Sequence, residues 1–222
     1  ILDYIHDPKL EGKWSRKGMV VGHVQSGKTS NYIGLINKAI GHGYKLIIVL
    51  TGMFDDLRIQ TQERIDYGVI GKLSASTSEA LKGKRVGVGK LKDFLPKTEV
   101  MSLTSINPST NGGDFTSSSA PNVSSSGGNK ATYIISIKKN KAPLGEVINW
   151  LTSLVENFDK DPIIKNLPTL IIDDEADSAS VDTSKKGDDP KTINRYIRVI
   201  LNLLEKVTYV GYTATPYANI FI

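Results

Sequence analysis

Two clusters in the chain hold residue types suited to phosphate chemistry. The first is Gly22-His23-Val24-Gln25-Ser26-Gly27-Lys28-Thr29. It fits G-x-x-x-x-G-K-S/T, a loop whose backbone N–H groups and following helix N-terminus wrap the phosphates of a nucleotide. Gly22 and Gly27 permit backbone angles and close approach that a Cβ would block. Lys28 brings a point charge to the β- and γ-phosphate oxygens, and Thr29 offers a hydroxyl to Mg²⁺. The second cluster is Asp173-Asp174-Glu175-Ala176-Asp177. An aspartate delivered by a strand can hold Mg²⁺ while a neighbouring glutamate polarises the attacking water, and Asp174 and Glu175 suit those roles. Each cluster also has a plainer reading: a glycine-rich turn for the first, an acidic helix cap for the second. Asp177 either reaches the hydroxyls of Thr213 and Thr215 or only caps.

The elements that must carry these residues favour the chemical reading. Gly18-Met19-Val20-Val21 reads as a short buried strand leading into the loop, and residues 30–40 as a helix with Ile33, Ile36, Ala39 and Ile40 on one face. Four further apolar runs follow, at residues 44–50, 132–137, 167–172 and 207–211. The runs are rich in β-branched residues, as strands covered on both faces are. Helical spacing recurs in Leu144, Val147, Ile148, Leu151, Leu154, Val155 and Phe158, and again in Ile193, Tyr196, Ile197, Ile200, Leu201 and Leu204. Strands alternating with helices predict a three-layer α/β domain with a mainly parallel sheet, spanning residues 1–222 as one unit. The acidic run then follows the fourth strand and Thr213 and Thr215 follow the fifth, on the same sheet edge as the glycine loop.

Between these elements the sequence is less specific. Asp55 or Asp56 can cap a polar helix in which Gln60, Gln62 and Arg64 either face a substrate or lie on an ordinary exposed surface. Lys138, Lys139 and Lys141 sit at a strand's carboxyl end, where they contact phosphate or are simply solvated. Trp14 either stacks on a base or packs at the domain edge. Residues 83–90 are glycine-rich and basic without a strand–loop–helix context and read as a surface turn. Residues 105–130, dominated by Ser, Asn, Gly, Thr and Pro, read as a long loop or partly disordered insertion.

Composition sets outer limits. With no cysteine, disulfide scaffolds and thiolate metal sites are excluded. No run is long enough to cross a bilayer and there is no signal-peptide pattern, so the cytoplasm is the default location. A net charge of +5 permits a polyanionic partner without requiring one. The sequence begins at Ile1 and stops within the apolar run Asn219-Ile220-Phe221-Ile222, the pattern expected of a piece of a longer protein.

The order of residues 22–29, then Asp174-Glu175-Ala176-Asp177, then Thr213-Ala214-Thr215 resembles motifs I, II and III in the first RecA-like lobe of superfamily 2 helicases, with Leu57-Arg58-Ile59-Gln60 similar to their motif Ia. More narrowly, Val21 to Thr29 with Asp173-Asp174-Glu175-Ala176-Asp177 and Gly211-Tyr212-Thr213-Ala214-Thr215-Pro216-Tyr217-Ala218-Asn219 is similar to the Z1 domain family, bacterial proteins predicted to be endonucleases. The resemblance implies a helicase-like ATPase acting on DNA in restriction or phage defence, alongside defence-system partner proteins. Lys28 would bind phosphate, Thr29 and Asp174 would hold Mg²⁺, Glu175 would activate water, and Thr213 and Thr215 would couple the cycle to DNA. ATP as the nucleotide also comes from the resemblance. A second RecA-like lobe, which supplies an arginine finger in such motors, lies outside residues 1–222. Two other functions stay open: a DNA nuclease using Asp173, Asp174 and a metal directly, and a nucleotide-gated binding module without productive hydrolysis.

Overall fold

The computed structural model describes residues 1, 5–23, 27–74, 83–92, 98–121, 131–156, 162–177 and 192–215. Six strands and four helices follow in the order β1 (Trp14–Val21), α1 (Lys28–His42), β2 (Leu46–Thr51), α2 (Asp55–Ile65), β3 (Val100–Ser102), β4 (Thr132–Lys138), α3 (Lys141–Ser153), β5 (Thr169–Asp174), α4 (Thr192–Leu203) and β6 (Lys206–Thr213). The strands form one sheet in the order β1-β6-β5-β2-β4-β3, and every pairing is parallel. The α/β architecture and parallel sheet match the expectation. No helix among the described residues is long and apolar enough to cross a membrane.

Period-two alternation along the central strands divides the core. On β2, Leu46, Ile48 and Leu50 turn to a cluster containing Leu144, Val147 and Leu151 of α3 and Ile197 and Ile200 of α4. Ile47 and Val49 turn to the opposite cluster, built from Tyr32, Leu35, Ile36 and Ala39 of α1 and Ile65 of α2. Helices therefore cover both faces, as right-handed crossovers require when the chain first moves outward from β1 and then returns through β4, β5 and β6. Burial on both faces explains why β2 is apolar throughout.

Several sequence expectations need correction. The first strand runs from Trp14 rather than Gly18, and it is mostly exposed, because it lies at the sheet edge with β6 as its one neighbour among the described residues. Trp14 is a packing residue, edge-on to His6 and Tyr44. It begins the strand whose other end carries the loop, about 23 Å away at 3.3 Å per residue, too far to stack on a base held there. Neither Asp55 nor Asp56 caps α2: Phe54 occupies that position and both aspartates lie in the first turn. β3 was not anticipated.

Residues 83–90 are more than a surface turn. Gly89 is buried in a short 3₁₀ helix, Gly87–Lys90, where an added Cβ would lie 1.8 Å from the Gly71 carbonyl oxygen. The first part of the Ser/Gly-rich stretch is likewise packed. Phe115 is buried against Trp150, and Ser117 donates its backbone N–H and hydroxyl to Glu146. Residues 122–130 lie outside the described residues, as does Phe158.

Candidate active site

In a parallel sheet all carboxyl ends lie on one edge, and ligands collect where neighbouring strands send their connections to opposite faces. β5 and β2 are such neighbours: α4 follows β5 on one face, α2 follows β2 on the other. Above this point opens a cavity of about 1260 Å³. It is lined by Gly27, Lys28, Thr29 and Ser30 from the start of α1, Gln60, Thr61 and Arg64 from α2, Asp174, Glu175 and Asp177 at and beyond the end of β5, and Thr213 and Thr215 at and beyond the end of β6. It is large enough to admit a nucleotide.

Gly27 adopts the left-handed conformation, φ 80°, as the N-cap of α1, with no side chain among the described residues capping the helix and no acidic residue in its first turn. The first-turn N–H groups and the positive end of the dipole at such a helix start favour an anion. Lys28 Nζ donates to the carbonyls of Gly22 and His23, both at 2.9 Å. Gly22 N–H in turn bonds Thr213 O at 3.0 Å, tying the loop to β6. Val24, Gln25 and Ser26 lie outside the described residues.

The acidic run divides by depth. Asp173 is fully buried, one carboxylate oxygen taking Lys139 Nζ at 2.9 Å and the other the Tyr209 hydroxyl at 2.5 Å. Both oxygens are engaged beneath the cavity, whose lining includes Asp174 and Glu175 but not Asp173. Asp174 lies higher and accepts from the Tyr32 hydroxyl at 3.3 Å. Burial pushes its carboxyl above the usual range despite that bond. Burial and the charge of Asp174 push Tyr32 up to about 12, so the phenol remains a donor at neutral pH.

Glu175 takes a left-handed backbone, φ 58°, rare for a residue with a Cβ, and its carboxylate faces Gly52. An added Cβ on Gly52 would lie 3.2 Å from Glu175 Oε2 and 2.6 Å from Leu57 Cδ1. Asp177 accepts a bond from the Thr215 hydroxyl, and Thr215 N–H bonds Thr213 Oγ1 at 3.0 Å. Burial alone would raise the Asp177 carboxyl, but the hydroxyls of Thr215 and Thr213 and its own N–H hold it below the usual range. Of the two roles open from sequence, this is the hydroxyl-bonded one.

The remaining candidates separate. Gln60 and Arg64 line the cavity, Arg64 donating to Thr29 Oγ1 at 3.1 Å. Gln62 does not: it is buried against Asp66, Ser102 and Thr104. Lys138 does not line the cavity; it is ion-paired with Asp114 at 3.2 Å and Asp55 at 3.5 Å, so it is not simply solvated. Sequence reading missed Tyr32 and Tyr212, whose rings meet edge-to-face at 5.5 Å under the cavity. Tyr32 follows Thr29 by three residues on α1, a spacing that places both on one helix face. Compared with known proteins, the chain matches no family model, no curated protein and no solved structure.

Proposed function

We propose that the chain is a RecA-like P-loop ATPase, the first lobe of a helicase-like motor acting on DNA. One observation carries the reading: Lys28 and Thr29 at an uncapped helix start share a single cavity with Asp174 and Glu175 and with the strand end that bears Thr213 and Thr215. Lys28 exchanges its loop carbonyls for the β- and γ-phosphate oxygens, and the N–H groups at the start of α1 bind the same phosphates.

The residues present suit Mg²⁺. Thr29 and Asp174 offer two oxygens, leaving room for the waters and phosphate oxygens this ion prefers. Among the described residues no group of three or more His, Cys, Asp or Glu forms a competing metal cage. Mg²⁺ would neutralise charge developing on the phosphates. Glu175 is the base that orients and deprotonates water, and Arg64 adds positive charge on the phosphate side. Asp177, Thr213 and Thr215 link this site to DNA. The resemblance to the Z1 domain family supports ATP as the nucleotide, restriction or phage defence as the setting with its partner proteins, and a second RecA-like lobe as the source of an arginine finger.

Calorimetry with Mg²⁺-ATP is the first test, with binding expected in the wild type and lost in Lys28→Ala. In a protein carrying both lobes, Glu175→Gln should lower DNA-stimulated hydrolysis by about 10²–10⁴-fold, the usual contribution of a general base. A wild type that ignores millimolar Mg²⁺-ATP, or stimulation that survives Glu175→Gln, overturns the reading.

A further inference from the structure

Lys139 follows the last residue of β4 and is fully buried. Its backbone N–H bonds Gly52 O, at the end of β2, while its side chain reaches past β2 to β5. There the ammonium donates to Asp173 Oδ1 at 2.9 Å, Asp174 O at 2.8 Å and Glu175 O at 2.5 Å. Three N–H donors meet three acceptors, so the buried charge is fully satisfied. Two of those acceptors are the successive carbonyls of the turn that presents Asp174 and Glu175 to the cavity.

The turn needs holding. Asp174 is still paired with Tyr212 in the sheet, and Ala176 N–H returns to Tyr212 O at 2.9 Å. Between them Glu175 departs into left-handed backbone, a conformation that persists in a residue with a Cβ only where its surroundings impose it. Such residues cluster at working sites. Asp173, fixed by Tyr209 on its other oxygen, anchors the ammonium from below.

We propose that Lys139 is a positioning residue: its ammonium grips the carbonyls of Asp174 and Glu175 and so sets the left-handed turn that aims both carboxylates into the cavity. The purpose assigned to that aim rests on the ATPase reading; the grip itself does not. A planar guanidinium could not place three donors on these converging acceptors, whereas an ammonium can.

The test separates grip from simple support. Lys139→Met alone strands a buried carboxylate and can unfold the chain. Lys139→Met with Asp173→Leu removes both charges, a replacement that buried ion pairs often tolerate. In the labelled chain, the Glu175 ¹³Cα and ¹³Cβ shifts report its backbone conformation. The double variant should fold, lose the left-handed shifts, and hydrolyse ATP up to about a hundredfold more slowly, the cost of ångström-scale misplacement, with KM changed less than kcat. Left-handed shifts retained in the folded double variant overturn the proposal. Asp173→Asn leaves Lys139 on the two carbonyls and should keep the wild-type shifts; their loss also overturns it, and this variant decides alone if the double variant does not fold. A chain whose Glu175 shifts depend on Lys139 but which binds no Mg²⁺-ATP would refute the ATPase reading and leave the grip standing. Nucleotide hydrolysis with shifts indifferent to Lys139 would do the reverse.

Discussion

Lys138 and Lys139 are adjacent at the end of β4, yet they belong to two different charged regions. Lys138 joins a knot around the buried Arg58, whose guanidinium donates to Asp55 and to the carbonyls of Ser105, Asn107 and Gly113. Asp114 also pairs with Arg58 and Lys138. Lys139 sits beneath the cavity, where Asp174 keeps one hydroxyl partner and no donor among the described residues bonds the Glu175 carboxylate. The carboxyl groups record the difference. Burial would raise Asp55, but Ser109 and Arg58 hold it well below the usual range, whereas burial leaves Asp174 raised. Opposite charges that saturate one another make structure. Carboxylates left with spare acceptor capacity at a cavity make a site, at a cost in stability that a bound cation can offset.

The sharpest way to break this comparison is Arg58→Met. Leaving Asp55, Asp114 and three carbonyls without their partner should cost about 3–5 kcal/mol in urea unfolding. A loss of about 0.5 kcal/mol or less, the size of an ordinary surface change, would mean the knot is ornamental.

Gly52→Ala probes the other region. Its Cβ meets the flexible end of Leu57 and crowds Glu175 Oε2, so stability should fall by only about 1 kcal/mol. On the proposed ATPase reading, hydrolysis should fall by about tenfold, since small misplacements at a reacting centre are costly. Equal losses in both would erase the distinction between frame and site.

The smallest effect is also the most discriminating, because its sign differs between the regions. Asp55 is lowered in the folded chain, so its contribution is present above the unfolded carboxylate pKa and lost as pH falls through the folded value. Asp174 is raised, so the folded chain holds that proton more tightly and stability declines as pH rises through the folded value. Asp55→Asn should therefore flatten the acid-side loss of the urea midpoint. Asp174→Asn should slightly raise the midpoint of the nucleotide-free chain at pH 7 and, on the proposed ATPase reading, abolish hydrolysis. Shifts of the same sign in both variants would contradict the assignment.

What could be read from sequence was what is local. The glycine loop, the apolar run before Asp173 and the helical spacing of Leu144, Val147 and Leu151 each lie within one element, so their pattern survives without the fold. The Arg58 knot does not: its acceptors at 105, 107 and 113 come from a stretch whose composition resembles linker, and only the folded chain gathers them around the guanidinium. Lys139 could be read only as a phosphate-contacting or solvated lysine, because only the strand order, with β2 between β4 and β5, brings it to Asp173. β3 has three residues at an edge, too short for alternation to register. The exposure of β1 was hidden for a related reason: an apolar tetrapeptide reads as buried whether its strand is central or peripheral.

The strand order has a consequence for assembly. β1 hydrogen-bonds along its whole length to β6, from Trp14 opposite Lys206 to Val21 opposite Thr213, and Gly22 N–H continues that ladder onto Thr213. β1 is thus docked by a strand synthesised roughly 190 residues later, and long-range closure of this kind is slow. During translation the glycine loop has no frame until β6 arrives, so the chain completes its core before it can form the mouth of its cavity.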